Sequence, residues 1–133
     1  MLKLISKEMR YANKIKGLLL KKGFIVKTQM SKNTKSVYLK IDNGACGVIR
    51  ISDHRNPKTA FKFNVIRDYK GRKRERINGK LVYYYNYNNI SRLLADLELE
   101  RSDKVIKYGY SNYRKIRDKV NAINNNEYLE KAA

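Results

Sequence analysis

The sequence predicts an α+β domain: an N-terminal helix packed on an antiparallel sheet of three to five strands, followed by C-terminal helices. Three observations predict it. Apolar residues near the start recur at spacings of three and four, as on one face of a helix. From about residue 24 to residue 87 they alternate with polar ones, the period of a half-buried strand. After residue 89 the helical spacing returns. The length, 133 residues, suits one domain with one modest core. That domain is read as 1–133, with a helix and β-meander in 1–88, a basic loop at 68–80 and a helical part in 89–133.

Residues 4–22 form the first helix, with Leu2, Ile5, Met9, Ala12, Ile15 and Leu19 along one face. Ser6 is a start cap, Lys21 and Lys22 suit the negative end of the helix dipole, and Gly23 supplies a left-handed stop. Phe24–Met30 is rich in branched and aromatic residues and reads as a strand. In Ser36–Ile41, Val37, Leu39 and Ile41 alternate with Ser36, Tyr38 and Lys40. Asp42-Asn43-Gly44 signals a hairpin turn. The chain returns through Gly47–Ser52 and alternates again through Ala60–Arg67, with Phe61, Phe63 and Val65 on one side.

Residues 68–80 (DYKGRKRERINGK) carry no apolar period and read as a mobile loop or a long hairpin tip. Leu81–Tyr87 follows as a strand with Tyr83, Tyr85 and Tyr87 on one face. Asn88 or Asn89 caps a helix with Ile90, Leu93, Leu94 and Leu97 inward. A short helical turn is expected at Asp103–Lys107, ending near Gly109. A last helix, capped by Ser111, turns Tyr113, Ile116, Val120 and Ile123 to one side and frays at its Asn-rich end.

Charge is the strongest global signal. Thirty-one Lys and Arg against 12 Asp and Glu give a formal net charge of +19. A compact chain with that charge repels itself, and a polyanion relieves the strain. Nucleic acid, or a nucleoprotein, is the expected partner, because each neutralised phosphate releases a condensed counterion. A membrane is not expected: the basic residues are scattered over several elements and no apolar run reaches the length of a bilayer span. The N-terminus lacks a signal peptide's apolar centre, and the single cysteine, Cys46, leaves no internal disulfide. Both point to a cytoplasmic protein, and neither a cofactor nor a metal is expected.

The phosphate-binding candidates are Arg72, Lys73, Arg74 and Arg76 in the glycine-containing basic loop, with contributions from Arg50, Arg55, Arg114, Lys115 and Arg117. The tyrosine run at Tyr83–Tyr87 reads as core and sheet surface, with base stacking as the alternative. A helix-turn-helix centred on Gly109 fits poorly, since Lys115 and Asp118 fall where that motif buries apolar residues. In Ser52-Asp53-His54-Arg55, His54 is a candidate acid or base for nucleic-acid cleavage, Asp53 its orienting carboxylate and Arg55 a phosphate clamp. Adjacent strand residues point to opposite faces, however, and the chain has no second histidine. A strand end presenting polar groups is the preferred reading.

LLLKKGFIVKTQMSKNTKSVYLKI resembles the opening of HicA-type toxin ribonucleases and of double-stranded-RNA-binding domains. The HicA-type Gly-Ser-His centre has no counterpart near Asn33–Ser36, so nuclease activity does not carry over. A second likeness spans roughly residues 18–100: Gly23-Phe24, Ser36-Val37-Tyr38, Ile49-Arg50-Ile51-Ser52-Asp53-His54 and Asn64-Val65-Ile66 resemble small basic phage proteins, among them anti-CRISPR inhibitors of type II Cas9 effectors. That resemblance implies an inhibitor or regulator in a bacterial host, with a partner such as a Cas9–guide RNA complex or the host's nucleic acid. Alternatives are a small nuclease using His54 and a protein-only inhibitor that meets an acidic protein surface.

Overall fold

A computed structural model describes residues 6–52, 61–68 and 70–118. The order of elements is α1 (Lys7–Lys21), β1 (Val26–Met30), β2 (Val37–Ile41), β3 (Gly47–Ile51), β4 (Phe61–Asn64), β5 (Lys73–Ile77), β6 (Lys80–Tyr87) and α2 (Ile90–Tyr108). A further helix, α3, covers 110–118 of the described residues. The strands form one sheet in the order β1-β2-β3-β4-β6-β5, with every neighbour antiparallel.

The α+β class holds, but the sheet has six strands where three to five were expected. The added strand is β5, inside the segment read as a loop. Its sequence, KRERI, has no apolar period and a single strong strand former, Ile77. What makes it a strand is the turn behind it. Asn78 and Gly79 sit at φ 51° and 78° between the paired residues Ile77 and Lys80. A two-residue turn with positive φ at both positions matches the strand twist and fixes the register of a hairpin. β5 is thus held by its pairing with the tyrosine strand.

The other Asn-Gly pair behaves differently. Ile41 pairs with Gly47, so five residues connect β2 to β3. Within them Asp42–Gly44 makes a 3-10 turn with Asp42 and Asn43 at positive φ. Asp42 is wholly buried: one carboxylate oxygen accepts the Ile25 N–H at 3.0 Å, and the other accepts the Tyr113 hydroxyl proton and pairs with Arg101 Nε at 3.1 Å. The turn therefore ties β1, α2 and α3 together. Burial is the main reason the Tyr113 hydroxyl is pushed well above its ordinary value.

The core lies on one face of the sheet. Ala12, Ile15 and Leu19 of α1, Leu93, Leu94 and Leu97 of α2, and Tyr113 of α3 pack with Val37, Leu39, Ile41, Ile49, Ile51, Phe61, Phe63 and Tyr87. Ser6 caps α1 by accepting the Met9 N–H, and Gly23 adopts the left-handed stop at φ 86°. Asn89 caps α2, which continues without a break to Tyr108, so the separate turn expected at Asp103–Lys107 is its last part. α3 begins beyond Gly109, with the Tyr113 N–H bonded to the Gly109 carbonyl, two residues earlier than a Ser111 cap requires.

Two buried ionic groups brace α2 against the sheet. The Glu100 carboxylate, fully buried, accepts the backbone N–H groups of Ile66 and Arg67 at 2.9–3.2 Å. Lys104 lies 3.7 Å from it and donates to the Cys46 carbonyl at 2.7 Å. Carboxylate and ammonium each have partners, the condition under which buried charge is tolerated.

Candidate nucleic acid interface

Directly opposed residues in an antiparallel pair share a face, so the register assigns every strand residue to one side. Val37, Leu39, Phe61, Phe63, Tyr85 and Tyr87 face the helices. The other side carries Lys27 and Gln29 of β1, Tyr38 and Lys40 of β2, Val48 and Arg50 of β3, Lys62 and Asn64 of β4, Val82, Tyr84 and Asn86 of β6, and Lys73 and Glu75 of β5. α1, α2 and α3 all belong to the core side, so no described helix covers this face. It is a broad, slightly aromatic surface with Glu75 as its one carboxylate among the described strand residues.

Like charges meet across its ladder at two places. Lys27 stands directly opposite Lys40, and Arg50 directly opposite Lys62. Like charges in such positions are destabilising. Lys62 escapes in part: it crosses β6, its ammonium 4.3 Å from the centre of the Tyr84 ring, and meets Glu75 on β5 at 2.5 Å. Arg50 does not. Its Nε is buried and has no hydrogen-bond partner among the described residues.

Strand alternation divides the residues picked out in the sequence. Arg50 and Lys73 lie on the open face. Arg74 and Arg76 are exposed on the opposite side of the edge strand. Arg72 precedes β5 and is occupied within the fold: its guanidinium lies 3.9 Å from the centre of the Tyr83 ring, pairs with Asp68 at 3.3 Å and donates to the Ile66 carbonyl. Arg114 and Arg117 share Asp118 on α3, which holds the Asp118 carboxyl below its ordinary value, and Lys115 is exposed beside them. The described candidates therefore do not converge on one surface. A further basic group, Lys7, Arg10 and Lys14 with Tyr11, lines a cavity of about 300 Å³ at α1. His54 and Arg55 lie outside the described residues.

The sequence pattern drew no attention to Lys27, Lys40, Lys62 and Tyr38 as site residues, and offered Tyr84 only within the tyrosine run, with base stacking as the alternative. The signal was present in VYLKI, where Tyr38 and Lys40 fill the outward slots, and in FKFN, where Lys62 and Asn64 do. Among the described residues no group of three or more His, Cys, Asp or Glu is placed to hold a metal ion. Cys46 offers no nucleophile: burial pushes its thiol up to about 11. No helix among the described residues is long and apolar enough to cross a membrane. Comparison with family models, curated proteins and solved structures finds no match to this chain.

Proposed function

We propose that this protein binds nucleic acid, free or within a nucleoprotein, through the open face of its sheet, and that it works as a regulator or inhibitor by occupying that partner. The cations gathered on that face, Lys40, Arg50, Lys62 and Lys73, with Arg50 directly opposite Lys62, carry the reading. A polyanion laid across the face converts their repulsion into paired contacts and releases counterions. The net charge of +19 supplies long-range attraction to the same kind of partner. The likeness to small phage-encoded inhibitors supports a regulatory role, with a CRISPR effector and its guide RNA as one partner to test.

The test compares two sets of alanine substitutions. The open-face set is Lys40→Ala, Arg50→Ala and Lys73→Ala. The edge set is Arg74→Ala and Arg76→Ala. Binding of labelled oligonucleotides is followed over a range of salt concentrations. The open-face set is expected to lower the slope of log affinity against log salt by about 2, from ~0.7 per phosphate contact on a single strand. The edge set is expected to change it less. An unchanged slope in the open-face set refutes the assignment. A complex that survives full nuclease digestion points to an acidic protein surface as the partner.

A further inference from the structure

Resting on the reading above, we infer that the nucleic acid is taken as an unpaired strand, with bases stacked on Tyr38 and Tyr84. Both rings stand on the open face, half-exposed and away from the edge strands. Tyr38 lies directly between Gln29 and Arg50, and Tyr84 between Asn64 and Lys73. Each ring thus has an amide on one side and a cation on the other. That places a stacking surface, a group able to hydrogen-bond a base edge and a phosphate contact within one nucleotide's reach. Tyr38 has no ring or cation partner among the described residues. Lys62 covers one face of Tyr84, leaving the opposite face for a base.

Shape excludes a duplex from these contacts. Six strands spaced about 4.8 Å apart make a surface about 24 Å across, twice the ~12 Å width of the major groove of B-DNA. The sheet cannot enter a groove, and a duplex keeps its base faces stacked inside. It would touch the cations alone. An unpaired strand can lie across the sheet with its bases turned down. Tyr38 and Tyr84 are three strand spacings and one two-residue step apart, about 16 Å. About five nucleotides cover that distance at the ~3.4 Å stacked rise.

The experiment measures binding of one 12-nucleotide sequence, as DNA and as RNA, both unpaired and annealed to its complement. Wild type is compared with Tyr38→Ala, Tyr84→Ala and the corresponding Phe variants, each checked by thermal melting. The unpaired strand is expected to bind at least about 10-fold tighter than the duplex. Each Ala variant is expected to lose between about 5-fold and 100-fold on the unpaired strand, with duplex binding unchanged and the Phe variants close to wild type. Equal affinity for duplex and single strand, or Ala variants that bind like wild type, overturns the inference and leaves the open-face assignment standing. Failure of every oligonucleotide to bind overturns both.

Discussion

Lys40→Glu should stabilise the fold and weaken its binding at the same time. Lys40 faces Lys27 across the β1–β2 ladder. Two unit charges about 6 Å apart in water repel by about 0.7 kcal/mol, and reversing one turns that into a similar attraction. The gain is about 1.4 kcal/mol at low ionic strength, and about half of that once a Debye length of ~8 Å screens the pair. A domain of this length unfolds with an entropy near 0.28 kcal/mol/K, so the melting temperature should rise by about 5 °C at low salt and about 2–3 °C in physiological salt. Lys40→Gln, which removes repulsion without adding attraction, should show about half the rise. Both changes should weaken oligonucleotide binding, the Glu variant by about 10-fold or more, and lower the salt slope by about 0.7 for the one lost phosphate contact. Scanning calorimetry and fluorescence anisotropy on the same samples make the measurement. A destabilised Glu variant refutes the repulsion between the two lysines, and one that binds as wild type does refutes the contact of Lys40 with an anionic partner.

Three other outcomes follow from the packing. Glu100→Ala removes the carboxylate that accepts from the Ile66 and Arg67 N–H groups and pairs with the buried Lys104; denaturant unfolding should show a loss of about 3–5 kcal/mol. Cys46, buried with its thiol raised to about 11, should resist a thiol-specific reagent at neutral pH until the protein is unfolded. Arg67 holds the Asp103 carboxyl below its ordinary value through bonds of 2.6 and 2.8 Å. A depressed folded-state value means the contribution is complete above the unfolded value near 3.9 and is lost as pH falls through the folded value. The stability gap between wild type and Asp103→Asn should therefore be widest near neutral pH and close below about pH 4.

The elements with a clear period were legible in the sequence: the Ala12, Ile15 and Leu19 stripe, the alternation of Val37, Leu39 and Ile41, and a helix cap at Asn88 or Asn89, which falls on Asn89. β5 was not, because Lys73–Ile77 has no apolar face and becomes a strand only through its partner and the Asn78-Gly79 turn. The site was half legible. Net charge pointed to a polyanion, but grouping cations by closeness in sequence gathered residues that alternation sends to opposite faces. Lys73 and Arg74 are neighbours in the chain and face apart. Lys27, Lys40, Arg50 and Lys62 are distant in the chain and share a face only through the strand order. The buried role of Asp42 likewise needs Arg101 and Tyr113, which no local pattern brings to it.

The most direct test of the open-face claim is side-chain and amide chemical-shift mapping by NMR as a short unpaired oligonucleotide is titrated into the protein. The account predicts the largest changes at Tyr38, Lys40, Arg50, Lys62 and Tyr84, with the inward Leu39, Ile49 and Phe63 side chains little affected. Changes confined to Lys7, Arg10 and Lys14 on α1, or to Arg114 and Lys115 on α3, with the open face silent, would contradict it.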